Sequence, residues 1–318
     1  MMRLLCVGVV LSAVISARAI DIVGAMRSNA DLTVYFDTTQ AERAMSPEIW
    51  KRIQSDKGKA RRRSGKKTFN TENRDAVGCV NVDFLSFAPF QFHLDGLLSV
   101  SGGKNASTRQ DVRDFAAAFR ELGYEVTESG GKKKPSCRAS MTADGEHPDS
   151  GAEIVSENEG SLRIKAYWGV KEQDVAAARQ KESHLADLLS ADSVKGSSFV
   201  LVGDARTLAK LPFGARGIQH SLERLLRKLA AFRVSGIVRD DALVLQADLR
   251  FLAEKDVAEY RKKVDANTPE LSCDNGLAVL RNLSSSSNGS KMLVTAELDL
   301  MAAWRVLDHF KVKNGKRR

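Results

Sequence analysis

Asp31-Leu32-Thr33-Val34-Tyr35-Phe36-Asp37 and Ser198-Phe199-Val200-Leu201-Val202-Gly203-Asp204 are two apolar runs that each end in aspartate and lead into a helical pattern. Runs of β-branched and aromatic residues read as strands, and an aspartate at their end suits a helix cap. The pair suggests that one pattern occurs twice, and the residues downstream extend it. Val80 to Phe87 and Phe90 to Val100 form a hairpin that runs into a helix near Thr108. Phe232 to Val238 and Ala242 to Leu252 do the same before a helix near Glu254. A second hairpin follows in each half, Ala152–Ser156 with Leu162–Trp168, and Leu277–Leu283 with Met292–Leu298.

The strands rest on alternation. In Phe90-Gln91-Phe92-His93-Leu94 every second residue is apolar, which turns one face to a core and the other to polar surroundings. Arg239-Asp240-Asp241 and Asn288-Gly289 supply the polar turns. The helices rest on the longer period. Val112, Phe115, Ala116, Phe119 and Leu122 form one stripe, and Ile218, Leu222, Leu225, Leu226 and Leu229 a second. Leu300, Trp304 and Leu307 form a third. All three read as core packing. The expected fold class is therefore α+β, a tandem duplication with each half β-α-β-β-α-β-β-α. Its sheets would be mainly antiparallel with helices on one face, in split βαβ, ferredoxin-like order plus extra elements. The first half spans residues 20–190 and the second 191–311, with a helix from Val170 to Leu189 between them and a basic tail over 312–318.

Residues 1–19 read as a secretory signal. Arg3 precedes the apolar stretch Leu4–Ile15, and Ala17-Arg18-Ala19 places small residues before a cleavage point at Ile20. Cys6 sits inside the apolar stretch, where a lipid-attachment cysteine does not belong. The expected location is periplasmic or secreted, without a transmembrane helix. Cleavage removes Arg3 and Arg18 and lowers the formal net charge from +9 to +7. Cys79, Cys137 and Cys273 remain, and an oxidising compartment suggests a Cys79–Cys137 disulfide, with free thiols as the other reading.

Two long segments of the first half are expected to be loops. Residues 55–76 contain the run 57–67, in which Lys57, Lys59, Arg61, Arg62, Arg63, Lys66 and Lys67 occur with no acid. Such a run attracts polyanions, while the lack of interleaved aromatics leaves base stacking unsupported. Residues 129–150 are rich in glycine, lysine and aspartate and include Lys132 to Lys134.

Motifs for chemistry are sparse. Asp144, Glu146, His147, Asp149 and Glu153 cluster, but Pro148 interrupts them and the EF-hand spacing is missing, so a solvated acidic loop is expected and no metal. Ser101-Gly102-Gly103-Lys104 precedes a helix without the Walker A or Rossmann spacing. His93, His184, His220 and His309 stand on predicted strands and helices, and no G-x-S-x-G elbow is present. Three Asn-x-Ser triplets, at Asn105, Asn282 and Asn288, would be glycosylation sites only in a eukaryotic host. The leading expectation is a non-enzymatic, exported binding module for an anionic polymer, an envelope surface or a protein, with no cofactor. A hydrolase of unfamiliar type, with a site between the halves, and a structural assembly protein are the competing readings.

Overall fold

A computed structural model describes residues 24–40, 75–101, 108–131, 134–144, 148–158, 160–178, 185–190, 196–211, 218–266 and 280–302, with positions 22, 45, 47 and 194 besides. The chain divides into two units, Met1–Thr39 with Lys57–Val194, and Gln40–Asp56 with Lys195–Arg318.

The first unit is built on seven strands: β1 (Leu32–Asp37), β2 (Asp75–Phe87), β3 (Phe90–Ser101), β4 (Glu125–Ser129), β5 (Ser136–Met141), β6 (Ser150–Asn158) and β7 (Ser161–Trp168). Their order is β1-β2-β3-β7-β6-β5-β4, and every neighbouring pair is antiparallel. Register puts the apolar residues of the inner strands on one face: Val80 and Val82 on β2, Leu94 and Leu98 on β3, Leu162 and Ile164 on β7, Ile154 on β6 and Cys137 on β5. Helix α1 (Thr108–Glu121) lays Val112, Phe115, Ala116 and Phe119 on that face, all buried. The Phe115 and Phe119 rings lie 4.4 Å apart, and Tyr124 meets Phe119 edge-on at 4.9 Å. Burying side chains of this size stabilises by roughly 2–3 kcal/mol each. Leu122, the last residue of the expected stripe, is 40% exposed because the helix has already ended. Helix α2 (Glu172–Ala178) and a 3-10 turn at Ala186–Leu188 follow the sheet.

The second unit carries β8 (Phe199–Asp204), α3 (Ala205–Leu208), α4 (Ile218–Leu226), β9 (Leu229–Arg239), β10 (Ala242–Phe251), α5 (Glu254–Asp265), β11 (Leu280–Asn288) and β12 (Lys291–Asp299). Its strand order is β8-β9-β10-β12-β11, again antiparallel throughout. The β9–β10 turn holds Asp240 at φ 49° and Asp241 at φ 61°. A two-residue hairpin turn needs this left-handed pair, and aspartate tolerates it better than most side chains. Helix α5 is charged on most of its surface and buries only Val257 fully, while Tyr260 rests 5.5 Å from the Phe251 ring.

The aspartates that end β1 and β8 have a local physical role. Asp204 Oδ1 accepts from the Arg206 N–H at 3.0 Å, and its Oδ2 accepts from the Thr207 hydroxyl at 3.1 Å, which caps α3. Asp37 Oδ1 likewise accepts from the Thr39 N–H at 3.0 Å and the Thr39 hydroxyl at 2.6 Å. The two opening runs share a capping device.

The tandem α+β repeat expected from the sequence is overturned. The chain is mostly antiparallel sheet with few and short helices, of which α1 is the longest among the described residues at 14 residues. Among the described residues the units do not share one element pattern either, since one carries seven strands and the other five. The difference lies in β5, which falls inside the expected loop 129–150, and in β4, which ends at that loop's edge. Residues Cys137 and Ala139 of β5 are 1% and 0% exposed, yet they are too small to stand out among the neighbouring lysines and aspartates. The stripe ending at Leu229 also breaks. Helix α4 stops at Leu226, Leu229 opens β9, and Leu222 is 44% exposed. The expected connector Val170–Leu189 is described as α2 and the 3-10 turn only. Of the last stripe, Trp304 and Leu307 lie outside the described residues.

Candidate functional site

The face of the first sheet opposite its apolar core is polar and, in part, buried. Strand register lines up Thr33, Asn81 and Asp95 across β1, β2 and β3, and brings Asp83 opposite His93. Residues ahead of β1 lie over this row. Asn81 Oδ1 accepts from the Arg27 backbone N–H at 2.9 Å and from the Thr33 hydroxyl at 3.1 Å. Asn81 Nδ2 donates to the Ala25 carbonyl at 3.0 Å and to Asp95 Oδ1 at 2.9 Å. The full hydrogen-bonding capacity of the amide is thereby used. The Arg27 guanidinium donates to Asp83 Oδ2 at 2.6 Å, and its Nε lies 3.5 Å from Asp95 Oδ2. His93 Nδ1 lies 3.6 Å from the same Asp83 oxygen without a hydrogen bond. Asp31, 1% exposed, accepts from the Phe84 N–H at 2.7 Å. This network ties residues 25–33 to the sheet. Its carboxylates and amide are engaged with the protein itself, so its chemistry is that of a latch.

The same face carries Tyr35 and Cys79, paired in register. Burial, with Asp37 adding to it, pushes the Tyr35 phenol up to about 12. Burial also pushes the Cys79 thiol up to about 11; a hydrogen bond from the Leu97 backbone opposes this and Asp95 reinforces it. A thiol held protonated in this way is a poor nucleophile.

A second feature lies where strands end. β1, β3, β4 and β6 all finish at one end of the first sheet, and β2, β5 and β7 start there, as the pairs Asp37–Val77, Asp75–Ser101, Ser129–Ser136 and Asn158–Ser161 require. Asp37 and Asp75, the strand ends that bracket the sequence run Lys57–Lys67, both lie at this end. So do Ser101, after which the sequence continues Gly102-Gly103-Lys104, and Ser129 and Ser136, which bracket Lys132 to Lys134 in sequence. Lys57–Lys67 and Lys132–Lys134 are far apart in sequence, and strand order brings the strand ends that bracket each of them to one end of the sheet. Helix α1 begins here too, and the hydroxyl of Ser156 at the end of β6 donates to the Thr108 hydroxyl at 2.8 Å.

Between α1 and the β4–β5 turn is a cleft of about 150 Å³. Arg109, Val112 and Arg113 form one wall, and Glu128, Gly130, Gly131 and Ser136 line the other. Arg109 and Arg113 are exposed and one helical turn apart. Among the described residues neither guanidinium has a hydrogen-bond or ion-pair partner. Like charges at this spacing repel by a few tenths of a kcal/mol, and cations in the first helical turns oppose the helix dipole. Glu128 is already held by Arg120 at 2.6 Å. The turn depends on Gly130 at φ +84°, where a side chain would also run into the Lys134 carbonyl.

The residues singled out from sequence fare differently. Lys57, Lys59, Arg61, Arg62, Arg63, Lys66 and Lys67 lie outside the described residues, as do Cys273, Glu146, His147, His184 and His309. Cys79 and Cys137 are free, buried thiols. They sit on β2 and β5 with β3, β7 and β6 between, four strand spacings or about 19 Å, far beyond the ~7 Å Cα limit of a disulfide. The expected Cys79–Cys137 bridge is therefore corrected. Asp149 of the acidic cluster accepts from the Ala143 N–H at 3.1 Å, and Glu153 lies 3.5 Å from Arg138. No group of metal-ligating side chains occurs among the described residues. Arg27, Asn81, Asp83 and Asp95 escaped sequence reasoning. The one signal, for Asn81, Asp83 and Asp95, was polar residues on alternate positions of both strands of a hairpin, read there as a solvated face; Arg27, ahead of β1, gave none.

No family model matches the chain, and no curated protein matches it. Solved structures of TP0453, a Treponema protein, align over most of its length. Its crystal form III shows 12% identity and a TM-score of 0.42, covering 90% of this chain and 97% of that one. Crystal form I shows 12% identity and a TM-score of 0.39, covering 91% and 97%. Crystal form IV shows 13% identity and a TM-score of 0.39, covering 90% and 96%. Likeness at this level carries no functional argument. No helix among the described residues is long and apolar enough to cross a membrane.

Proposed function

We propose that the chain is an exported, non-enzymatic binding module that holds an anionic surface or polymer through one end of its first sheet. The observation that carries this reading is that the strand ends bracketing two basic runs of the sequence, Lys57–Lys67 and Lys132–Lys134, meet at this end beside the unpaired Arg109 and Arg113. Cations gathered on one side raise the local concentration of a polyanion and release its counterions on contact. Near an anionic membrane each such cation contributes on the order of 1 kcal/mol, an effect that salt weakens.

The test is to replace the seven cations of Lys57–Lys67 by glutamine in the chain starting at Ile20. Asp75 and Ala76 stay untouched, because they already belong to β2. Retention on heparin and on anionic vesicles at low salt is expected to fall well below that of the unaltered chain. Unchanged retention would overturn the reading. Mass spectrometry of the chain exported from its own cells is expected to find Ile20 as the first residue, and an intact Met1 would overturn the export.

A further inference from the structure

We propose that the cleft between α1 and the β4–β5 turn is a site for a phosphate group, clamped by Arg109 and Arg113. This deepens the reading above, since it names a ligand group and a subsite at the same end of the sheet. At about 150 Å³ the cleft has room for a phosphate monoester head. Two guanidiniums spaced i, i+4 are close enough to converge on one anion, and their planar forks match phosphate oxygens bidentately. A bound anion would relieve the repulsion between them.

The opposite wall fits the same ligand. The Glu128 carboxylate faces the cleft but is tied to Arg120 at 2.6 Å, so its charge is already met. The Ser129 and Ser136 hydroxyls, 2.8 Å apart in the lining, share one hydroxyl proton between them and leave the other to donate. Gly130 and Gly131 leave this wall without side chains, and a Cβ at Gly131 would meet nothing within 4 Å. Lys134, exposed at the far side of the turn, adds positive charge beside this wall. The ligand is a phosphate group, whether borne by a lipid headgroup or free in solution.

The experiment uses the full mature chain and three variants: R109Q/R113Q, R109K/R113K and the glutamine-substituted Lys57–Lys67 chain. Inorganic phosphate binding is measured by calorimetry. Binding to phosphatidylcholine vesicles with and without phosphatidic acid, a phosphomonoester lipid, is measured by sedimentation. R109Q/R113Q is expected to bind at least ~10-fold more weakly, since losing a charge-assisted contact costs about that factor or more. The lysine pair is expected to fall between, because it keeps charge and loses the fork. Both residues are exposed, so the thermal midpoint should stay put and exclude misfolding. Arginine-dependent binding of inorganic phosphate supports the site with free phosphate as its ligand. Arginine-dependent binding of phosphatidic acid vesicles alone supports it with the headgroup. Equal binding by wild type and R109Q/R113Q, or none by wild type to either probe, overturns it. The glutamine-substituted chain separates the two claims: it should keep the arginine-dependent component and lose the rest.

Discussion

The two units bury their sheets to different depths, and the helix laid on each explains why. In the first, α1 offers Val112, Phe115, Ala116 and Phe119, a broad apolar stripe that vanishes into the core over β4, β5 and β6 with Cys137, Ala139 and Ile154. In the second, α5 reads Glu-Lys-Asp-Val-Ala-Glu-Tyr-Arg-Lys-Lys-Val-Asp, with Val257, Tyr260 and Val264 as its narrow stripe. Most of β10 stays half-buried, and Leu222, Ile237, Leu252 and Leu293 remain exposed. Similar hairpins thus acquire different cores according to what one helix brings. The first unit can hold a buried ionic latch on its other face and still be anchored.

The largest effect should come from the first core. Phe115→Ala is expected to cost about 3–5 kcal/mol in urea unfolding, because it opens a cavity beneath α1 that neighbours cannot fill. Asp83→Ala comes next at about 2–3 kcal/mol. It leaves the partly exposed Arg27 without its closest partner beside a buried histidine. A double-mutant cycle with Arg27→Ala should recover much of that loss, and additive effects would break the latch account. In the second unit Val257→Ala should cost only about 1.5–2 kcal/mol, the value of two lost methyl equivalents. A cost equal to that of Phe115→Ala would abolish the contrast between the units.

A smaller effect is chemical. Cys79 and Cys137 belong to the first unit, and burial pushes both thiols up from 9 to about 11. Between those values the unfolded chain has lost thiol protons that the folded chain retains, so stability falls as pH rises from 9 toward 11, by roughly 1 kcal/mol per pH unit for each thiol. Cys79→Ala should flatten part of that slope. Smallest of all, Asp265→Ala removes an exposed pairing with Arg261 on α5 and should shift stability by less than about 0.5 kcal/mol.

Hairpins were legible where alternation was strong. Phe90 to Val100 and Ala242 to Leu252 lie within a residue of β3 and β10. The α1 stripe was legible too, since Val112 to Phe119 keeps a helical period that no strand could bury. The short β5 was hidden because its inward residues are cysteine and alanine, whose burial depends on Ile154 arriving from β6. The wider architecture was misread because helical stripes say nothing about how much of a chain is sheet. Of the candidate site, the basic segments were visible one by one. Their shared end was not, since it follows from pairs such as Asp75–Ser101 that only strand register creates.

The most direct test compares where positive charge is removed. Salt-dependent binding to anionic vesicles would be recorded for two variants that lose equal numbers of cations. One loses the nine of the sheet-end group, from Lys57–Lys67, Arg109 and Arg113, the other the nine of α5 and the tail from Lys311 onward. The sheet-end variant should bind weakly with a shallow salt dependence, while the other tracks the unaltered chain. Equal losses in both would mean that net charge alone governs binding and that the sheet end has no special part.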